Sequence, residues 1–252
     1  MTTRIIVNAD DLGMSPTVND AVFELMAEGR VSSATLIANA PAVRQAVSMI
    51  ARFPRCSFGA HLNLTQYEPL SRGGDAHRLV DADGKMSRGI VSLRRLGPGL
   101  LRAAYSEWCA QVELLLSLGV EISHFDSHNH VHTQPQFFPV LKAVQRRYGI
   151  RRVRLSKNLY SADQPCSRSV WWQKRAYNIA LRAVYRTRTT ARFTELMTFE
   201  RVSQAPNSVP TGDVELMVHP GAPYAGPEVG LLRSEWMAET MRSAPLISYR
   251  EL

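Results

Sequence analysis

The sequence predicts an α/β fold whose parallel sheet closes, or nearly closes, into a barrel, with an open α/β sheet as the alternative. Strand-like and helix-like runs alternate along the 252 residues, which is the pattern of repeated β–α units. Chemically active side chains follow the ends of several strand-like runs. In barrels of this class the carboxyl ends of the strands carry the functional site, so we expect the site at that end.

The predicted elements follow from the spacing of apolar residues. Ser15 and Pro16 are the expected cap and first-turn proline of the first helix. Short apolar runs predict strands at 4–7, 33–40, 57–63, 121–126, 151–155, 194–199 and 213–218. Apolar stripes at helical spacing predict helices that begin at Pro16 and span 43–50, 103–118, 135–148 and 169–187.

Length and composition favour one domain over residues 1–252, because 45% of the residues are hydrophobic and can bury a large core. The polar segment 66–100 is rich in Gly, Arg and Asp, and we expect a lid or substrate loop there. No apolar run approaches the roughly 18 residues of a membrane span.

Cysteine usage and the start of the chain predict a cytoplasmic location. Cys56, Cys109 and Cys166 are an odd, scattered set, which fits a reducing compartment and argues against a disulfide framework. The first strand begins within four residues of the start, which leaves no room for a signal peptide.

A cluster of histidines is the most specific signal in the chain. Four of the seven histidines fall between residues 124 and 132. Alternate positions there hold His124, Asp126, His128, His130 and His132. In an extended segment these side chains would share one face, where neighbouring imidazoles repel as they protonate. A bound metal relieves that repulsion, so the pattern favours a metal site over a polar loop.

Two adjacent carboxylates, Asp10 and Asp11, follow the first strand-like run. One can bind a metal while its neighbour takes a proton from water. The alternative is an ordinary loop before a capped helix. His61 and His219 each follow a further apolar run, although a lone histidine is more often a satisfied interior residue than a ligand.

The chain resembles the YdjC-like carbohydrate deacetylases, which include chitooligosaccharide deacetylase and the hopanoid-biosynthesis deacetylases. The matching segments are Ile-Val-Asn-Ala-Asp-Asp-Leu-Gly at 6–13, Gly-Ala-His-Leu-Asn-Leu-Thr at 59–65, His-Phe-Asp-Ser-His-Asn-His-Val-His at 124–132 and Met-Val-His-Pro at 217–220. The resemblance runs from residue 4 to about 221 and is strongest over the first 155 residues, whereas 160–210 shows none. It implies an irregular (β/α) barrel.

The resemblance also implies the reaction and the principal residues. The family removes an acetyl group from an N-acetylated amino sugar with a metal held by a matching carboxylate and two histidines, here Asp11, His61 and His128. Asp10 would be the general base and His219 the acid that protonates the leaving amine. Arg154 could keep Asp10 ionised, although a solvated charge is the slightly favoured alternative for this arginine.

The remaining polar residues have supporting roles in this interpretation. Asp126 and His132 would orient ligands, His130 and Asn63 would support the site or contact sugar, and His124 would lie too deep. We expect one divalent ion, zinc or magnesium first, with manganese, cobalt and nickel open. The substrate could be an oligosaccharide, a glycolipid head group or a nucleotide-linked sugar. The chain could also form a homodimer.

A basic segment supports a rival hypothesis from a different class. The chain carries a formal charge of +8, and residues 142–192 hold 14 Lys and Arg against the single acid Asp163. This asymmetry could mark a nucleic-acid-binding or membrane-surface module without hydrolytic activity, or a solvated face. Since no nucleic-acid motif is present, we expect no nucleic-acid partner.

The predicted helix at 169–187 suggests where a membrane contact would lie. Trp171, Tyr177 and Leu181 would share one side, and Lys174 and Arg175 are among the cations that flank them. Such a helix can lie on the anionic inner face of a membrane. The alternative is an ordinary barrel helix whose apolar stripe packs inward.

Overall fold

The computed structural model describes residues 3–92, 96–204 and 210–252. All strand pairs in its sheet are parallel, and the six strands follow the order β4-β3-β2-β1-β6-β5. The strands are β1 (Arg4–Leu12), β2 (Ser33–Leu36), β3 (Ser57–Leu62), β4 (Ile122–Ser127), β5 (Arg192–Glu195) and β6 (Asp213–Val218). The predicted parallel α/β fold is confirmed.

Helices connect the strands and cover the outside of the sheet. They are α1 (Pro16–Ala27), α2 (Val43–Ile50), α3 (Arg88–Val91), α4 (Pro98–Ser117), α5 (Phe138–Tyr148), α6 (Arg168–Ala183), α7 (Leu196–Ser203), α8 (Gly226–Leu232) and α9 (Glu235–Ser243). The side chain of Ser15 accepts a hydrogen bond from the Val18 amide at 3.2 Å, so the predicted cap of α1 is confirmed.

An irregular segment, residues 151–158, joins the two edges of the curled sheet. Val153 forms an isolated parallel bridge with Phe125 of β4. At the other edge, the Asn158 amide donates to the Phe193 carbonyl of β5 at 3.3 Å. The sheet is therefore a half-barrel whose open side is closed by this segment, and the irregular barrel is confirmed.

The central strand β1 separates two different interiors. Ile5 and Val7 pack in the main core with residues of the helices, whereas Ile6 packs with Ile247 and Tyr249. Because side chains alternate across a strand, Asn8 and Asp10 share the face of Ile6. The inside of the barrel is consequently apolar at one end and polar where the strands end.

Several predicted elements differ from the structure. Residues 151–155 form isolated bridges rather than a strand, because they are shared between two sheet edges. The strand predicted at 194–199 ends at Glu195, where α7 begins. Helix α6 ends at Ala183 rather than 187, since Tyr185 has a left-handed φ of 63°. Helices α8 and α9 follow the last predicted element.

The segment 66–100 packs against α4 and contains α3. The buried Glu107 carboxylate of α4 accepts hydrogen bonds from the amides of Leu70 and Ser71, at 3.1 and 2.8 Å. Leu79 and Met86 are buried. Residues 93–95 of the predicted lid lie outside the described residues.

Two further expectations concern the thiols and the membrane. Cys56, Cys109 and Cys166 are all free, and the first two are buried. Within the described ranges, none of the helices has both the length and the hydropathy needed to cross a bilayer.

Gly59 of β3 provides a test of packing inside the barrel. A Cβ there would lie 2.6 Å from Cε1 of His124 and 2.8 Å from its carbonyl oxygen. We expect Gly59→Ala to lower the free energy of unfolding by about 1–3 kcal/mol through overpacking, as measured by urea denaturation.

The matched control is Gly230→Ala in α8, where a Cβ meets no atom within 4 Å among the described residues. It should be neutral or gain up to about 1 kcal/mol from helix propensity. Equal effects of the two substitutions would contradict the packing described for Gly59.

Candidate metal centre

Three side chains from separate strand ends converge on one point. Asp11 lies at the end of β1, His61 in β3, and His128 directly after β4. Asp11 Oδ1 lies 3.3 Å from His61 Nε2 and 2.8 Å from His128 Nδ1. The ligand atoms of this group lie within 4.8 Å of one another, a spacing that suits a common metal ion.

A backbone irregularity lets both adjacent aspartates serve this site. Neighbours on a regular strand point to opposite faces. The register of β1 against β2 shifts between Ala9 and Leu12, and Asp11 adopts a left-handed φ of 65°. This bulge turns Asp11 toward the barrel mouth, while Asp10 keeps its place inside the barrel.

His61 is oriented by a buried carboxylate. Its Nδ1 lies 2.7 Å from Asp126 Oδ1, and the Thr35 hydroxyl donates to Asp126 Oδ2 at 3.0 Å. Burial alone would lower the pKa of His61, but the carboxylates of Asp126 and Asp10 outweigh it and raise the pKa to about 10. With Nδ1–H donated to Asp126, Nε2 is the atom that faces Asp11, as in carboxylate–histidine–metal arrangements.

His128 is oriented from its opposite ring nitrogen. Its Nε2 lies 3.0 Å from Gln66 Oε1, so a proton on Nε2 leaves the Nδ1 lone pair directed at the site. Asn63 donates to the Gln66 carbonyl at 2.7 Å and accepts from the Thr65 amide at 2.9 Å. Asn63 therefore braces the turn that carries Gln66.

Arg154 lies at the centre of a buried network and has no exposed surface. Its Nη1 and Nη2 donate to the two oxygens of Asp10, each at 2.6 Å. Nε donates to Glu215 at 2.7 Å, and Nη1 lies 2.8 Å from Asp126 Oδ2. The Phe193 ring covers Cζ at 4.8 Å. The solvated alternative for Arg154 is therefore wrong.

The charge balance of this interior favours a cation. Burial raises the pKa of Asp10 and Asp126, but the Arg154 charge outweighs it and holds both below their usual range. Burial raises the pKa of Glu215 to about 7. The carboxylates of Asp10, Asp11 and Asp126 outnumber the two cationic groups, the Arg154 guanidinium and the protonated His61 ring, and a divalent ion would offset the excess. The donor set of two imidazoles and one carboxylate also fits such an ion.

His219 lies beside Asp10 at the next strand end. The register pairs Ala9 of β1 with Val218 of β6, so the residues that follow them are neighbours. His219 Nδ1 lies 3.9 Å from Glu228. Burial alone would lower the pKa of His219, but the nearby Glu228 carboxylate raises it overall.

The histidine row does not point at one spot, contrary to the prediction. Strand β4 ends at Ser127, and Asn129 and His130 have left-handed φ values of 54° and 55°, so the alternation stops after His128. His130 then packs edge-on against Phe193 with ring centroids 5.9 Å apart. The extended conformation that the alternation required covers only the first part of the row.

The outer members of the row have separate partners. His132 contacts the Ser127 hydroxyl at 2.6 Å and the Arg154 carbonyl at 3.2 Å, so it supports the backbone of Arg154. His124 stacks on Tyr249 with ring centroids 3.5 Å apart, and burial lowers its pKa to about 3. Its position deep in the barrel agrees with the prediction.

The sequence interpretation did not find four members of the site: Thr35, Gln66, Glu215 and Tyr249. Glu215 is an acid within the apolar run 214–218, and a buried strand carries such a residue only when it has a partner. The Tyr249 hydroxyl donates to Glu215. Thr35 and Gln66 carry no comparable signal, since their contacts depend on the sheet order.

Comparison with known proteins identifies the family of this chain. The sequence model of the family described as "YdjC-like protein" matches residues 4–243. The chain belongs to this family. That stretch includes Asp10, Asp11, His61, His128 and His219.

Two curated relatives carry the description "Carbohydrate deacetylase". The protein of Vibrio vulnificus (strain YJ016) is 38% identical over 148 residues, which are 58% of this chain and 57% of the relative. The protein of Geobacillus stearothermophilus is 40% identical over 157 residues, 60% of each chain. The aligned region thus spans less than two thirds of either relative.

A solved structure from Enterococcus faecalis V583, provisionally described as a cellobiose-phosphate cleavage protein, shares the fold. Its TM-score is 0.79 at 24% identity, and the match covers 100% of this chain and 99% of that one.

Removing the Arg154 charge should destabilise the protein strongly. Arg154→Met leaves the buried Asp10 and Asp126 without their cation, so we expect a loss of about 3–5 kcal/mol in the free energy of unfolding, measured at neutral pH. The control is Arg4→Met. The side chains of Arg4 and its partner Asp213 are 37% and 22% exposed, so its cost should be about 0–1 kcal/mol. Similar losses in both variants would refute a special role for the buried network.

Proposed function

We propose that this chain is a metal-dependent hydrolase that removes the acetyl group from an N-acetylated amino sugar, carried on an oligosaccharide or a glycolipid head group. One observation carries the proposal: the Asp11, His61 and His128 ligand atoms converge beside Asp10, which is held by Arg154. The family and its curated carbohydrate deacetylases support the substrate class.

Asp11, His61 and His128 would hold one divalent ion and leave room for water and substrate. When bound, the ion would polarise the amide carbonyl and make water more acidic. Zinc suits two imidazoles and a carboxylate better than magnesium, which prefers oxygen ligands. Manganese, cobalt and nickel suit the same donors.

Asp10 would act as the general base. The bidentate Arg154 contact keeps its carboxylate ionised and fixed. Oδ1 also accepts from the Asn8 side chain at 2.9 Å, so Oδ2 is the oxygen with remaining acceptor capacity. The water oxygen attacks the amide carbon while its proton passes to Asp10. Arg154 is a positioning residue in this scheme, because it acts through Asp10.

His219 would protonate the leaving amine as the carbon–nitrogen bond breaks, which yields acetate and the free amino sugar. Its raised pKa keeps the imidazolium available to higher pH. Glu228, whose carboxylate accepts from the His219 amide at 2.7 Å, would hold the ring in place.

We propose that residues 1–252 work as one deacetylase domain, supported by the family match over 4–243. The segment 66–100 would be the lid, since it carries Gln66 beside His128 and Arg88 hydrogen-bonded to Asn129.

The rival function, a basic binding module without hydrolysis, makes a different prediction about chelation. Binding to an anionic polymer or surface should survive removal of divalent ions, whereas hydrolysis of an acetylated sugar should not.

Metal content tests the ligand assignment. Purified protein should take up about one divalent ion per chain, and His61→Ala or His128→Ala should lose it because each removes an imidazole ligand. His77→Ala is the matched control, since His77 is exposed and contacts only the Gly74 carbonyl among the described residues. Metal content after dialysis is the measurement. Full occupancy in His128→Ala at neutral pH would show that the assignment is wrong.

Substitution of the base and the acid should separate catalysis from metal binding. Asp10→Asn should keep the metal and lower kcat about 10²- to 10⁴-fold, as expected for loss of general base catalysis. His219→Ala should behave likewise, with a milder loss if water protonates the amine. Metal content and kcat are measured on the same folded samples. Metal loss in Asp10→Asn would instead exchange the roles of the two aspartates.

A further inference from the structure

The first half of helix α6 is largely exposed to solvent. Among residues 168–176, every residue except Lys174 is exposed. Tyr177 and Leu181, in the second half, are buried against the barrel. Tyr177 and Leu181 therefore pack inward, as in the barrel-helix alternative, whereas Trp171 is exposed, and the three do not form the single membrane face that the sequence predicted.

One stripe of α6 alternates cationic and apolar side chains. Its members recur at intervals of four and three residues, which keeps them on one helical face. They are Arg168, Trp172, Arg175, Ile179 and Arg182. Trp172 and Ile179 are 59% and 57% exposed, and the Arg175 guanidinium lies 5.3 Å from the Trp171 ring and 5.8 Å from the Trp172 ring.

The charged residues of this stripe are all positive. The sequence contains no Asp or Glu between Asp163 and Glu195. Beside α6, a cleft of about 960 Å³ is lined by further cations, among them Lys174 and Arg192. A face of this kind is complementary to a surface of negative charge.

We propose that this face of α6 docks on an anionic lipid bilayer. Tryptophan favours the interfacial region, and an exposed aliphatic residue such as Ile179 gains by leaving water there. Arginines between them meet the lipid phosphates. A nucleic acid would satisfy the arginines but leave Ile179 in water, which is why the bilayer is favoured.

The side of α6 opposite the docking face lines a path toward the candidate metal centre. A cleft of about 350 Å³ is lined by Val170 of α6 together with Gln134. A neighbouring cleft of about 330 Å³ also contains Gln134 and reaches Asn129 and His130, next to His128. If the proposed deacetylation is correct, on which this step rests, the substrate is an amino sugar on a lipid of the docked membrane.

Vesicle co-sedimentation tests the docking without reference to catalysis. The full chain should bind vesicles of equal parts phosphatidylglycerol and phosphatidylcholine, and bind pure phosphatidylcholine vesicles much less. The double variant Arg168→Gln/Arg175→Gln should lower the partition constant roughly 30-fold at low salt, since each basic side chain contributes about 1 kcal/mol at an anionic surface. Trp172→Ser/Ile179→Ser should weaken binding at moderate salt as well.

The matched control is Arg44→Gln/Leu116→Ser, because both residues are exposed on other helices; it should bind like the parent. All variants should keep the parent's melting temperature and its activity on a soluble acetylated chito-oligosaccharide. Absence of binding to the anionic vesicles, or equal binding by the α6 variants, would overturn the proposal. So would retention on duplex DNA alone.

Two outcomes separate this inference from the proposed function. Vesicle binding that depends on α6, with no hydrolysis of any acetylated sugar by metal-loaded protein, supports the docking and removes the deacetylase. Hydrolysis of the soluble sugar without vesicle binding keeps the enzyme and overturns the docking.

Discussion

The buried guanidinium of Arg154 is the interaction on which the interior of this barrel depends. Strands β1, β4 and β6 and the segment 151–158 each place one charged side chain in the buried interior. Of these four side chains, only Arg154 is a cation. A buried carboxylate without a partner is costly, so Asp10, Asp126 and Glu215 are compatible with the fold only around that guanidinium. The same contacts fix Asp126, which in turn orients His61. Stability and site geometry therefore rest on a single side chain.

Local patterns predicted the parallel sheet and the position of polar residues at the strand ends, whereas the choice of Asp11, His61 and His128 came from the family resemblance. Short apolar runs that end in polar residues mark buried strands with their carboxyl ends at a common edge. Alternation in the histidine row failed after His128, since two left-handed residues, Asn129 and His130, end the extended backbone. The spacing of the histidines alone does not predict that change of backbone conformation.

The residues that the sequence could not assign depend on long-range contacts. Thr35 of β2 contacts Asp126 of β4 across the intervening strand β3. Tyr249, near the end of the sequence, contacts Glu215 of β6. For Arg154, local sequence suggested a solvated charge, since arginines dominate 146–154. Its burial is decided by the segment that joins β4 to β5. The division of α6 into an exposed first half and a buried face in its second half is likewise a property of the assembled protein.

The position of Arg154 on the closing segment has a consequence for the order of folding. Arg154 is separated from Asp10 by 144 residues and from Glu215 by 61, so these contacts form only after large loops have closed. Until residues 151–158 span the gap between the two sheet edges, the carboxylates inside remain open to water and repel one another. Closure of the barrel and neutralisation of its interior are thus coupled, because the same segment provides both.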